Sequence, residues 1–135
     1  MFITRECDYA VRVIRALAGK ERLSVSEICE IEDITGPFAY KILKKLQKAG
    51  IVNGYRGVHG GYSLHRKPSQ LTLYDVYYAI DPDMFIIECL NPDRPCSRHG
   101  ADGKPCLVHL ELQDIQTRFW ELLRRKTLEQ ILSGE

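Results

Sequence analysis

The 135-residue sequence predicts a mainly α-helical chain with a small β-hairpin and one long helix in its second half. Three observations predict that class. Apolar residues recur at helical spacing in segments that open on Ser or Thr and close on Gly. One pair of short strand-like runs flanks a glycine-rich tip. Towards the C-terminus, apolar residues step by four and three over about two heptads. Hydrophobic residues make up 44% of the chain and charged residues 27%, an ordinary balance for a globular protein.

"TRECDYAVRVIRALAG" reads as the first helix, with Ala10, Val13, Ile14 and Leu17 on one stripe and Gly19 as its stop. "SVSEICEIED" opens with Ser24 and Glu27 at capping-box spacing and then offers Ile28 and Ile31. After a very short turn comes "TGPFAYKILKKLQKAG", where Thr35 can cap, Pro37 suits the first turn and Gly50 ends the helix. Its inward stripe is Ala39, Ile42, Leu43 and Leu46. "IVNGYRGVHGGYSL" then reads as a β-hairpin. Thr72 and Asp75 open the helix "TLYDVYYAID", which Asp81-Pro82 breaks. A polar loop follows, then a long helix over roughly 106–126 with a seam of Val108, Leu112, Ile115, Phe119 and Leu122. Thr127 and Gln130 cap a short terminal helix.

Helix, short helix, tight turn, lysine-bearing helix and hairpin is the order of a winged helix-turn-helix. In that arrangement the second helix of the pair enters the DNA major groove by its N-terminal end. Here that end presents Thr35, Gly36, Pro37 and Tyr40, followed by Lys41, Lys44, Lys45 and Lys48 for phosphates. On the hairpin tip Arg56 lies among Gly57, His59 and Gly60, suited to a minor groove. Net charge is only +1, but residues 1–67 hold twelve Lys/Arg against seven Asp/Glu, while residues 68–135 hold seven against eleven. The first half therefore suits a polyanion and the second does not.

"KILKKLQKAGIV" and "RGVHGGYSL", with the opening "DYAVRVIRALA", the "LTLYDVYYAID" helix and the closing "TLEQIL", closely resemble the Rrf-type winged helix-turn-helix transcriptional regulators. The resemblance spans nearly the whole chain. It implies a homodimer joined through the long helix and a palindromic double-stranded DNA operator bound by the third helix and the wing. Some members carry a glutamate at the place of Tyr40 that tunes base selection.

"CLNPDRPCSRHGADGKPCLVH" gathers Cys89, Cys96 and Cys106 on a loop stiffened by prolines, with His109 one turn further on. Thiols clustered on a polar loop in a reducing compartment point to metal or redox chemistry. Cluster-binding members of the resembled family carry three cysteines here, which implies that Cys89, Cys96 and Cys106 ligate an iron–sulfur cluster, [2Fe–2S] or [4Fe–4S]. The Cys-x6-Cys-x9-Cys spacing is looser than the family's. The resemblance leaves two candidates for the fourth ligand, His109 and Asp8, the latter supplied by the other subunit. Zinc in a Cys3His set and three metal-free redox-active thiols are the competing readings; zinc favours shorter Cys gaps. Cys7 and Cys29 read as packing residues.

The sequence therefore divides into a winged helix-turn-helix DNA-binding domain (1–67), a connecting helix (68–88), a cysteine-rich cluster loop (89–106) and a dimerisation helix with a short C-terminal helix (107–135). No apolar run reaches the ~20 residues of a membrane span. The charged start lacks a secretion signal, which places the chain in the cytoplasm. Neither a Cys-x-x-Cys pair nor a catalytic triad spacing argues for an enzyme. The expected function is a homodimeric transcriptional regulator, a repressor or activator, sensing cluster, redox, nitric oxide or iron status. The alternative is a metal-free regulator controlled by a partner protein or by thiol oxidation.

Overall fold

A computed structural model describes residues 3–135. The first helix, α1, spans Arg5–Leu17, its end capped by the Thr4 hydroxyl, which accepts from the Cys7 amide. Gly19, at φ +74°, lets the chain reverse. The second, α2 (Val25–Glu32), opens on a complete Ser24/Glu27 capping box. Asp33 is left-handed at φ 54°, a conformation Asp tolerates, and so closes the short turn into α3 (Gly36–Lys48). Thr35 is the N-cap of α3 without a side-chain bond. Pro37, at the second helical position, has no N–H to offer it.

Two strands, β1 (Val52–Tyr55) and β2 (Gly61–Leu64), pair antiparallel with Val52 opposite Leu64 and Tyr55 opposite Gly61. Leu23 adds a third, one-residue rung by exchanging both backbone bonds with Tyr62. The helix-turn-helix and its wing are thus joined by main chain as well as by packing. Beyond the wing, α4 (Leu73–Ile80) opens on a Thr72/Asp75 capping box, α5 spans Leu107–Arg124, and α6 (Leu128–Ser133) opens on a Thr127/Gln130 box. The long helix is therefore shorter at both ends than its apolar pattern suggests.

One core unites these elements. Ala10, Val13, Ile14 and Leu17 of α1 meet Ile28 of α2, Ala39, Ile42, Leu43 and Leu46 of α3, and Val76 and Ile80 of α4. Each large member contributes about 1.5–3 kcal/mol of burial. Leu128 of α6 is fully buried in the same core, and its amide bonds to the Leu71 carbonyl, so the C-terminal end returns to the N-terminal half. Ile31, expected inside, is 54% exposed. The inward position one turn beyond Ile28 belongs instead to Glu32, which Arg15 of α1 grips through two bonds of 2.9 and 2.5 Å. Helix α5 packs inward through Gln116 and Leu123 and leaves Leu107, Val108, Ile115 and Leu122 of its other faces exposed. Among the described residues no helix is long and apolar enough to cross a membrane.

Candidate nucleic-acid interface and cysteine loop

The N-terminal end of α3 and the wing tip both stand free of the core. Thr35, Pro37, Tyr40 and Lys44 are exposed and Gly36 is half-buried. Tyr40 is 58% exposed, so its ring contributes little to the fold. Edge-to-face packing of Tyr9 on Phe38 ties the start of α3 to α1. On the wing, Arg56, Gly57 and His59 are exposed and Gly60 is half-buried.

The lysine row is not uniform. Lys41 and Lys45 both lie on Glu6 of α1, at 2.7 and 2.8 Å. Their hydrogen bonds, from Lys41 first and Lys45 second, hold the Glu6 carboxyl below its ordinary pKa. Lys44 and Lys48 have no carboxylate partner among the described residues, so half of the expected cationic row is already answered by a carboxylate inside the chain. Sequence offers no signal for this contact, because Glu6 is more than thirty positions from either lysine.

Arg22 is a second residue that pattern alone does not single out. Its guanidinium donates to the His59 carbonyl at 2.6 Å and lies 3.6 Å from the centre of the Tyr55 ring. The connection between α1 and α2 thereby holds the wing.

The cysteine loop runs from a short helical turn at Glu88–Leu90 to the start of α5. Cys89, Cys96 and Cys106 are free thiols, each half-buried. Cys89 and Cys96 line one open concavity with Arg94 and Pro95. The Cys96 sulfur accepts from the Arg98 amide, and bonds from the Arg98 and His99 backbones lower the thiol's pKa. Cys106 belongs to a second group: its amide donates to His99 Nδ1 at 3.3 Å, and the His99 and His109 rings stack at 3.7 Å. His109 Nδ1 is buried with no partner. Asp8 is 56% exposed and paired with Arg12 at 3.1 Å.

The donor chemistry fits an iron–sulfur group: three thiols outside any disulfide, one with its pKa lowered by backbone hydrogen bonds, and a buried imidazole nitrogen without a partner. The arrangement does not bring all of those donors together. Among the described residues no three His, Cys, Asp or Glu side chains converge as a metal-holding group. Cys7 is fully buried and Cys29 half-buried against the core.

Over residues 3–134 the sequence matches the family described as Rrf2, iron-dependent transcriptional regulator. A putative HTH-type transcriptional regulator of Aquifex aeolicus is 29% identical over 137 residues, covering 100% of this chain and 94% of its own. The HTH-type transcriptional regulator IscR of Sodalis glossinidius is 30% identical over 139 residues, covering 100% of this chain and 81% of its own. Among solved structures, CymR, the global cysteine regulator of B. subtilis, has the same fold with a TM-score of 0.74 at 22% identity, covering 98% of this chain and 97% of that one.

Proposed function

The chain belongs to the Rrf2 family of transcriptional regulators, and on that premise we propose that it is a homodimeric DNA-binding sensor whose cysteine loop holds an iron–sulfur cluster. Its relatives and fold neighbours are transcriptional regulators rather than enzymes. The observation that carries the cofactor reading is the loop itself. The segment from Cys89 to the first turn of α5 carries three free thiols and a buried His109 Nδ1 without a partner.

In this reading Cys89, Cys96 and Cys106 are the thiolate ligands, and His109, or Asp8 of a second copy, is the fourth. An iron–sulfur cluster supplies, when bound, an oxidant- and nitric-oxide-sensitive link between thiolates. The chain's own residues do the rest. The amides of Arg98 and His99 favour the Cys96 thiolate. Thr35, Gly36, Pro37 and Tyr40 meet base edges, Lys44 meets phosphate, and Arg56, Gly57, His59 and Gly60 form the minor-groove contact. The exposed apolar residues Leu107, Val108, Ile115 and Leu122 of α5 support pairing with a second copy. Two such heads meet half-sites ~34 Å apart or a multiple of it.

A second reading rests on Cys96: a half-buried thiol in an open concavity with Cys89, its pKa lowered by backbone hydrogen bonds, also suits regulation by thiol oxidation without metal. One experiment separates them. Protein isolated anaerobically should show visible absorption, with iron and sulfide that Cys106→Ala removes, and holo and apo forms should differ 5–150-fold in operator affinity, a coupling of ~1–3 kcal/mol. A colourless chain that takes up no iron or sulfide on reconstitution, yet changes DNA affinity on peroxide treatment, would establish the metal-free reading instead. Mössbauer spectra of the loaded protein would assign [2Fe–2S] or [4Fe–4S].

A further inference from the structure

Val58 occupies the apex of the wing and is 99% exposed, more than any other large hydrophobic residue among those described. A lone exposed apolar residue is ordinary on a protein surface. What sets Val58 apart is how firmly it is presented. Gly57 and Gly60 close a four-residue turn through the Gly60 amide and the Gly57 carbonyl at 2.9 Å, with Val58 and His59 at its centre. Behind the turn, Arg22 holds the His59 carbonyl at 2.6 Å and covers the Tyr55 ring, whose hydroxyl meets Ser63 at 3.0 Å across the hairpin. At its base, Leu23 pairs with Tyr62 so closely that a Cβ on Gly61 would lie 2.4 Å from the Leu23 carbonyl oxygen. The tip is therefore braced from two sides, and a β-branched side chain with few rotamers crowns it.

A braced apolar tip next to an exposed arginine matches the chemistry of a DNA minor groove. Its walls are deoxyribose C–H, and its floor at A·T pairs carries acceptors for Arg56 with no protruding group. At G·C pairs the guanine 2-amino group stands where an apolar side chain would sit. We propose that Val58 seats in the minor groove and makes the wing select against the guanine 2-amino group, with Arg22 as the positioning residue that fixes the tip. This inference rests on the reading of the wing as a DNA-contacting element and adds to it a determinant of sequence preference.

The test uses the full chain and the tightest duplex enriched from a randomised pool, with wing-contacted base pairs located by hydroxyl-radical protection. Those pairs are replaced in turn by A·T, G·C and inosine·C. The last keeps the major-groove face of G·C but lacks the 2-amino group. Wild type should bind the A·T and inosine·C duplexes alike and the G·C duplex about fivefold more weakly, the scale of partly burying one valine side chain. Val58→Ser should bind all three alike while unfolding at the wild-type temperature. Arg22→Ala should reduce the discrimination, and Arg22→Lys, which keeps a donor for His59 but not the planar cover on Tyr55, should restore it in part. Wild-type indifference to the 2-amino group, or full discrimination in Val58→Ser, would overturn the inference. Arg56→Ala separates the two levels. If it leaves every duplex equally well bound, the wing does not contact DNA and the underlying reading fails. If it weakens binding while Val58→Ser leaves the pattern intact, only the role of Val58 fails.

Discussion

Replacing Glu6 by Gln should make the protein bind DNA more tightly. In the free chain one carboxylate lies against both Lys41 and Lys45, so these lysines together present about one net positive charge to a phosphate backbone rather than two. Removing it frees about one further cation for phosphate, which steepens the dependence of log K on log[salt] by ~0.9. Affinity should then rise about eightfold at ~0.1 M salt, about threefold at ~0.3 M, and hardly at all near ~1 M. The cost to folding is small, about 0.5–1 kcal/mol, because Lys41 and Lys45 are 58% and 35% exposed and the pairs are partly screened. Acid provides a check on the same charge. The Glu6 carboxyl titrates below its ordinary 4.5 because both lysines bind its charged form. Its contribution to stability is therefore complete above that value and is lost as pH falls through the lower, folded-state value. Wild type and Glu6→Gln should accordingly converge in DNA affinity on acidification. Fluorescence anisotropy titrations of a mixed-sequence duplex over a salt series measure all of this. An unchanged salt slope, or weaker binding by the variant at low salt, would refute the view that Glu6 competes with phosphate.

Two further outcomes follow from the same geometry. Gly61→Ala places a Cβ at a positive φ of 142° and 2.4 Å from the Leu23 carbonyl oxygen, so it should detach the wing from the α1–α2 connection; thermal unfolding should show a loss of about 1–3 kcal/mol, and amide exchange should quicken at Tyr62. Leu122→Asp on the exposed side of α5, where Leu122 is 60% exposed, should leave the fold of each chain intact and, if the proposed dimer forms through this face, shift sedimentation from dimer to monomer; equal sedimentation of variant and wild type would refute that contact.

The elements legible in the sequence are those made by local chemistry. Ser24/Glu27, Thr72/Asp75 and Thr127/Gln130 form capping boxes because each side chain reaches a backbone amide three positions away. The stripes of α1 and α3 are buried as spaced, because an apolar face at helical period has to be covered and each covers the other. The lapses are equally physical. Ile31 faces solvent while Arg15, seventeen positions before Glu32, holds Glu32 inward. Glu6 on Lys41 and Lys45, and Arg22 on the wing, join segments more than thirty positions apart, which no period or spacing encodes. The thiols show the limit from the other side. Linear proximity groups Cys89, Cys96 and Cys106, but an eighteen-residue segment rich in turns need not bring three side chains together, and among the described residues no three ligating side chains converge.

What the loop is attached to matters more than its spacing. Just before it, the Ile86 amide donates to Gln116 Oε1 at 2.6 Å, and the Met84 carbonyl accepts from the Trp120 indole at 3.2 Å. At its far end Cys106 is itself the N-cap of α5. Both ends of the cysteine segment are therefore fastened to a single helix, one at its middle and one at its start. Drawing Cys89, Cys96 and Cys106 together would pull those two anchor points towards each other along α5, and the anchors on its inward side are the buried Gln116 and the partly buried Trp120. An adjacent side carries the exposed Val108, Ile115 and Leu122. A packed helix moves as a unit more readily than it bends. Closing the loop would thus act first on the exposed apolar side of α5, and would reach the N-terminal half through the packing of α4 on α5 and through Leu128 of α6 in the shared core.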